Sequence, residues 1–243
     1  MCRLLGYTSL SSTTFDRVVG KDFDGFVKLA NDHGDGWGLA TSKDLYKEPV
    51  AATKSSHFSQ EISRHSSTGA LLHFRWATPG LDINQENTHP FQRDGISFIH
   101  NGALLPGNQL DSYISPVLLN EVQGTTDSEK YFLYLLTEIE KLGFLEGIKS
   151  ALSFMKNHIT YSSINSMVMN AEYFVVACIY DPERIPDHFK NQLDYYYLKY
   201  IQRHGEVIVG SSGWNQSGWQ DIKNGTILVI NRSMLDCEIH AIH

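Results

Sequence analysis

Apolar and polar positions alternate with two different periods along this chain, and the changes of period divide it into strands and helices. The run Cys2-Arg3-Leu4-Leu5-Gly6-Tyr7 is short and mostly apolar, which predicts a buried strand, and the Ser/Thr cluster from Thr8 to Thr14 predicts a turn after it. Over residues 15–30, Phe15, Val18, Val19, Phe23, Phe26, Val27 and Ala30 recur at helical spacing, so a helix is predicted despite Gly20 and Gly25. The glycine-rich stretch His33-Gly34-Asp35-Gly36-Trp37-Gly38 follows, then a short strand over 39–41. A short helix over 58–65, a buried strand over 69–77 and a strand over 96–100 come next, the last broken at Asn101-Gly102.

Thr126 or Asp127 caps a helix that runs to about Leu142; Gly143 ends it, and a second amphipathic helix reaches about His158. The last third reads as strands at 166–170, 173–180, 195–202, 206–211, 226–231 and 235–242, with turns at His204-Gly205 and Asn224-Gly225. Strands on both sides of a central helix pair predict antiparallel sheets layered with helices, an α+β fold. No linker, repeat or low-complexity tract interrupts residues 1–243, so a single domain is the expectation.

Composition narrows the function classes. A chain of 243 residues that is 42% hydrophobic can bury a substantial core, and a net charge of −7 without a Lys/Arg run argues against a nucleic-acid surface. A small molecule is the expected partner. Cys2, Cys178 and Cys237 are widely spaced and include no CxxC pair, which suggests neither a disulfide framework nor a cysteine zinc site and fits a cytoplasmic location. Neither a signal-peptide pattern nor a run of roughly 18 apolar residues is present, so no membrane association is expected.

The candidate chemistry begins at Cys2. Removal of Met1 would leave a thiol nucleophile and a free α-amine on one residue, and an α-amine with a pKa of about 8 suits a general base. The alternatives are a cysteine without a role and a lipidation site, and the flanks lack the second signal that stable anchoring needs. Arg75 near the end of a buried strand is either one half of an ion pair or a fork for a substrate carboxylate. Asn101-Gly102 is either a hairpin turn or a pair of donors for an oxyanion. Asp127 is a helix cap unless its spatial neighbours make it a ligand. His73, His89 and His100 match no metal-ligand spacing and read as structural histidines, so no metal or other cofactor is expected.

Taken together, Cys2, the 33–37 glycine stretch, Phe74-Arg75-Trp76-Ala77-Thr78, Asn87-Thr88-His89-Pro90, His100-Asn101-Gly102 and Thr126-Asp127-Ser128-Glu129 resemble, in order and rough spacing, the class II glutamine amidotransferases. The resemblance covers essentially the whole chain and is closest to short, stand-alone members, which include γ-glutamyl amidohydrolases. It implies the four-layer αββα sandwich of the N-terminal-nucleophile hydrolases. It further implies that Cys2 is the nucleophile, that Arg75 binds the substrate α-carboxylate and Asp127 its α-ammonium, and that Asn101 and Gly102 form the oxyanion hole. Trp76, Thr78 and His89 would shape the pocket. Pro79 stands where the large synthases of the family commonly carry histidine. The chain stops where those synthases continue, which leaves three readings. It is a free-standing γ-glutamyl hydrolase, an ammonia-supplying subunit of a separate synthase, or a non-catalytic γ-glutamyl-binding module.

Overall fold

Strand β1 (Arg3–Thr13) is buried on both faces as far as Ser9, and a strand of that kind belongs in the middle of a sheet with layers on either side. The computed structural model, which describes residues 2–243, places it there. The other strands are β2 (Trp37–Thr41), β3 (Leu45–Glu48), β4 (Ser67–Phe74), β5 (Phe91–Arg93), β6 (Ile96–Leu104), β7 (Tyr161–Met169), β8 (Tyr173–Cys178), β9 (Leu198–Arg203), β10 (Glu206–Ser211), β11 (Gln220–Ile222), β12 (Thr226–Asn231) and β13 (Cys237–Ala241). The helices are α1 (Phe15–Val19), α2 (Phe23–Lys28), α3 (Phe58–Arg64), α4 (Pro116–Leu119), α5 (Asp127–Leu142) and α6 (Phe144–His158).

Two antiparallel sheets result, in the orders β11-β9-β10-β1-β4-β2-β3 and β13-β12-β8-β7-β6-β5. Alternation along β1 explains the layering. Leu5 and Tyr7 join a core with Phe15, Phe23, Phe26 and Phe58 of the first helices, whereas Leu4 joins Ile99, Met167 and Phe174 of the facing sheet. The far face of the second sheet packs on α5 and α6 through Phe98, Tyr131, Leu135 and Leu152. Three apolar layers between four structural ones make the αββα sandwich, as expected. Gly6 permits the closest approach of the two sheets, because a Cβ there would lie 2.6 Å from Phe174 Cζ. Among the described residues no helix is long and apolar enough to cross a membrane.

Several boundaries differ from the sequence expectation. The Ser/Thr cluster is no turn: β1 continues through it, pairing as far as Ser9 with Glu206 and, past a bulge, Thr13 with Ser67. Hydroxyl and β-branched residues are at home in an extended strand, and only burial ends at Leu10. The single helix over 15–30 is two short α-helices with 3-10 turns, because Gly20 takes φ 73° and ends the first. Asn101-Gly102 does not break its strand but lies within β6, opposite Asn165 and Ile164 of β7. β4 stops at Phe74, so Arg75, Trp76 and Ala77 lie just past its end. β7 starts at Tyr161 rather than 166, its polar Asn165 being satisfied by Ile179 N and Tyr196 O. β9 starts at Leu198, and Tyr195 to Tyr197 precede it in a turn. Elements of three or four residues (β3, β5, β11, α4) carry too little periodicity to be read in advance.

Candidate active site

Pairing of Arg3 with Phe74 brings Cys2 alongside the chain leaving β4, and contact between the two sheets brings it to β6. The Cys2 backbone N donates to Asn101 Oδ1 at 2.7 Å, and the thiol lies 3.9 Å from the Trp76 carbonyl oxygen. Seven of the eight residues singled out in the sequence line one narrow cleft: Cys2, Arg75, Trp76, Thr78, His89, Gly102 and Asp127. Asn101, the eighth, meets Cys2 from behind. A wider groove of about 150 Å³ along Lys47, Phe91 and Arg93 contains no nucleophile.

The glycine stretch explains how Arg75 is held. Asp35 N donates to Arg75 O at 2.9 Å and Arg75 N to Gly36 O at 2.7 Å, so residues 35–36 continue the ladder beyond β4. Asp35 Oδ2 accepts from Ala77 N at 2.8 Å. A Cβ on Gly38 would fall 2.3 Å from His89 O, so glycine there lets the segment press against the 88–90 backbone. Arg75 is 3% exposed; its Nη2 donates to Asp82 O at 3.1 Å and its Nη1 has no partner. Burial lowers its pKa, opposed by its electrostatic interactions with Cys2 and Asp35. The guanidinium makes no ion pair among the described residues, and a group held in this state is completed by an incoming anion.

On the opposite wall Thr126 caps α5, its side chain accepting from Glu129 N at 3.2 Å, which leaves Asp127 free of capping. Asp127 Oδ2 accepts from Leu104 N at 2.7 Å, and this fixes the carboxylate at the cleft. Gly102 is sterically required: a Cβ would lie 1.8 Å from Ser163 O.

Three histidines meet behind the cleft. His73 and His89 stack at 4.2 Å, His73 Nε2 lies 3.2 Å from His100 O, and the His100 ring nitrogens reach Ser128 Oγ at 2.9 Å and Ser163 O at 3.0 Å. Burial pulls His73 down to about 3 and His89 well below its usual value; it lowers His100 as well, against the pull of Asp127. The described residues contain no group of three His, Cys, Asp or Glu placed to hold a metal ion. Of the seven buried side-chain polar atoms without a partner among the described residues, five belong to His73, Arg75, His89 and Asn101. Unsatisfied polar atoms are rare in folded chains, and their concentration here marks a site shaped for a polar ligand.

Sequence reasoning passed over Arg3, His33 and Asn165. Arg3 carried the same signal as Arg75, a cation inside an apolar run, and is 1% exposed.

Comparison with known proteins gives the family and the fold. The family profile described as class II glutamine amidotransferases matches residues 1–240. An uncharacterized protein of Methanocaldococcus jannaschii is 27% identical over an alignment of 278 positions, covering 98% of this chain and 74% of that one. A putative glutamine amidotransferase of Haemophilus influenzae is 29% identical, covering 73% of this chain and 63% of its own length. A probable glutamine amidotransferase of Saccharomyces cerevisiae is 30% identical, covering 52% of this chain and 40% of its own. The chain thus spans less than two thirds of these last two relatives. A glutamine aminotransferase class-II domain protein from Silicibacter pomeroyi shares the fold, with a TM-score of 0.67 at 17% identity and 99% of each chain covered. The chain belongs to the class II glutamine amidotransferases.

Proposed function

We propose that the protein hydrolyses the γ-amide of glutamine or of a related γ-glutamyl compound through a thioester on Cys2. Met1 lies outside the described residues, and the mechanism requires its removal so that Cys2 carries a free α-amine. The α-amine takes the thiol proton, and the thiolate attacks the γ-carbonyl carbon to give a tetrahedral oxyanion. Asn101 Nδ2 and the Gly102 backbone N–H are the donors for that oxyanion. The C–N bond breaks as the amine returns its proton to the leaving nitrogen, releasing ammonia or an amine. Water, deprotonated by the same amine, then cleaves the γ-glutamyl thioester to glutamate and restores the thiol. Arg75 and Asp127 hold the α-carboxylate and α-ammonium, while Trp76, Thr78 and His89 bound the pocket.

The observation that carries this reading is the bond from Cys2 N to Asn101 Oδ1. One amide group orients the position of the base through its oxygen, and its buried Nδ2 is left without a protein partner beside the nucleophile. Intact mass before and after treatment with a glutamine-like diazoketone tests it. Loss of the Met1 mass and one adduct mapping to Cys2 are expected; a retained Met1 with no adduct would leave only ligand binding. Asn101→Ala is expected to lower kcat for glutamine hydrolysis by roughly a hundredfold or more, with a smaller change in KM. An unchanged kcat in steady-state assays would remove Asn101 from the oxyanion hole.

A further inference from the structure

Arg75 and Asp127 line the same cleft from different segments of the chain, and the side chain of Asn87 joins those segments. Asn87 is fully buried. Its Nδ2 donates to Asp82 O at 3.1 Å and to Thr125 Oγ1 at 3.0 Å, and its Oδ1 accepts from Thr125 N at 2.7 Å. The partners fix which way the amide points, because a backbone N–H only donates and a carbonyl oxygen only accepts. Asp82 O is the same carbonyl that receives Arg75 Nη2 at 3.1 Å. At the other end, Thr125 directly precedes Thr126, the cap of α5, and Asp127, its first residue. A chain of hydrogen bonds therefore runs from the Arg75 guanidinium through Asp82 and Asn87 to Thr125, and the backbone carries it on to Asp127.

Both ends of this bridge are braced. Asn84 Oδ1 accepts from Asn87 N at 2.9 Å and Asn84 O from Thr88 Oγ1 at 2.7 Å, which closes residues 84–88 on themselves. The buried Glu129 carboxylate accepts from Gln123 N and Gly124 N at 2.8 Å each, which holds the turn before α5. A Cβ on Gly124 would lie 2.4 Å from Asn87 Oδ1, so that turn rests directly on the amide.

We propose that Asn87 is a positioning residue that sets the separation of Arg75 and Asp127, so that the cleft takes a free α-amino-acid head group by matching both of its charges at once. The inference rests on the anchor roles given to those two residues in the thioester reading above. Arg75 makes no ion pair among the described residues, so its spacing from Asp127 has to be set through intermediaries, and Asn87 touches the partners of both. Charges held in advance at the spacing of a ligand's own charges bind it without a further cost of ordering side chains. Asn87 itself does not line the cleft and acts only through Asp82 and Thr125.

The test follows covalent labelling of Cys2 by two electrophiles, mapped by peptide mass: the glutamine-like diazoketone, which carries an α-carboxylate and an α-ammonium, and iodoacetamide, which carries neither. Asn87→Ala is expected to slow the diazoketone about tenfold while the iodoacetamide rate stays within a factor of about two. In glutamine hydrolysis the KM is expected to rise by a similar factor with kcat little changed, the pattern of lost binding rather than lost chemistry. Thr125→Val removes one acceptor of the Asn87 amide but keeps the backbone N–H, and is expected to shift the selectivity in the same direction by a smaller factor. A diazoketone rate in Asn87→Ala equal to that of the wild type, or an equal slowing of both electrophiles, overturns the positioning role. A wild type that takes up iodoacetamide but no diazoketone on Cys2 removes the thioester reading and its anchors, and the role of Asn87 with them.

Discussion

Cys2→Ala is expected to yield a folded protein that releases no ammonia from glutamine above background. The side chain is small and only 7% exposed, and its sole hydrogen-bond contact among the described residues is the 3.9 Å approach to Trp76 O. Losing one sulfur from such a place costs about 1 kcal/mol, well within the stability of a domain this size. The chemical cost is far larger, because no other thiol can substitute: Cys178 and Cys237 are held protonated by burial, at about 12 and about 11, and neither lines the cleft. Removal of a nucleophile typically costs a factor of about 10⁵ or more in kcat. An ammonia-coupled assay alongside thermal melting checks both halves; turnover at the parent rate in a folded Cys2→Ala protein would remove Cys2 as the nucleophile.

Acid should unfold the protein through its buried imidazoles. His33 and His73 are each pulled down to about 3, His33 by burial and then the charge of Arg3, His73 by burial against the opposing hydrogen bond to the His100 carbonyl, whereas in the unfolded chain they titrate near 6.5. The unfolded state therefore binds more protons below about pH 6.5, so stability is complete above that pH and falls steadily toward pH 3. At pH 5 each of the two contributes a loss of about 2 kcal/mol, or about 4 kcal/mol together. His89 and His100 are displaced in the same direction and steepen the trend. Urea midpoints at pH 7.5, 6 and 5 measure it. A midpoint that stays flat across that range would mean these imidazoles are protonated in the folded protein.

Much of this architecture was legible from residue pattern, and the failures have definite physical causes. The long helices were readable because Thr126, Gly143 and an apolar stripe mark their ends and faces. The α+β class followed from the order of elements; the facing arrangement of the two sheets did not, since period-2 alternation shows that a strand is buried without naming what covers it. For the site, local patterns left two alternatives at each of Arg75, Asn101-Gly102 and Asp127. The fold removes the structural alternative at each, through an unpartnered Nη1, a strand that runs on, and a cap supplied by Thr126 instead. The contacts of Arg3 with residues 181–197 were illegible because they span 189 and 192 positions.

That span bears on how the enzyme is made. In the centre of its sheet β1 needs β10, Leu4 N needs Ser211 Oγ, and Arg3 needs Tyr195. None of these partners exists until some 200 residues have left the ribosome, roughly 10 to 40 s after the first. For that interval the amino end cannot be enclosed. The removal of Met1 that the proposed mechanism requires would have its opportunity then, before Cys2 is buried.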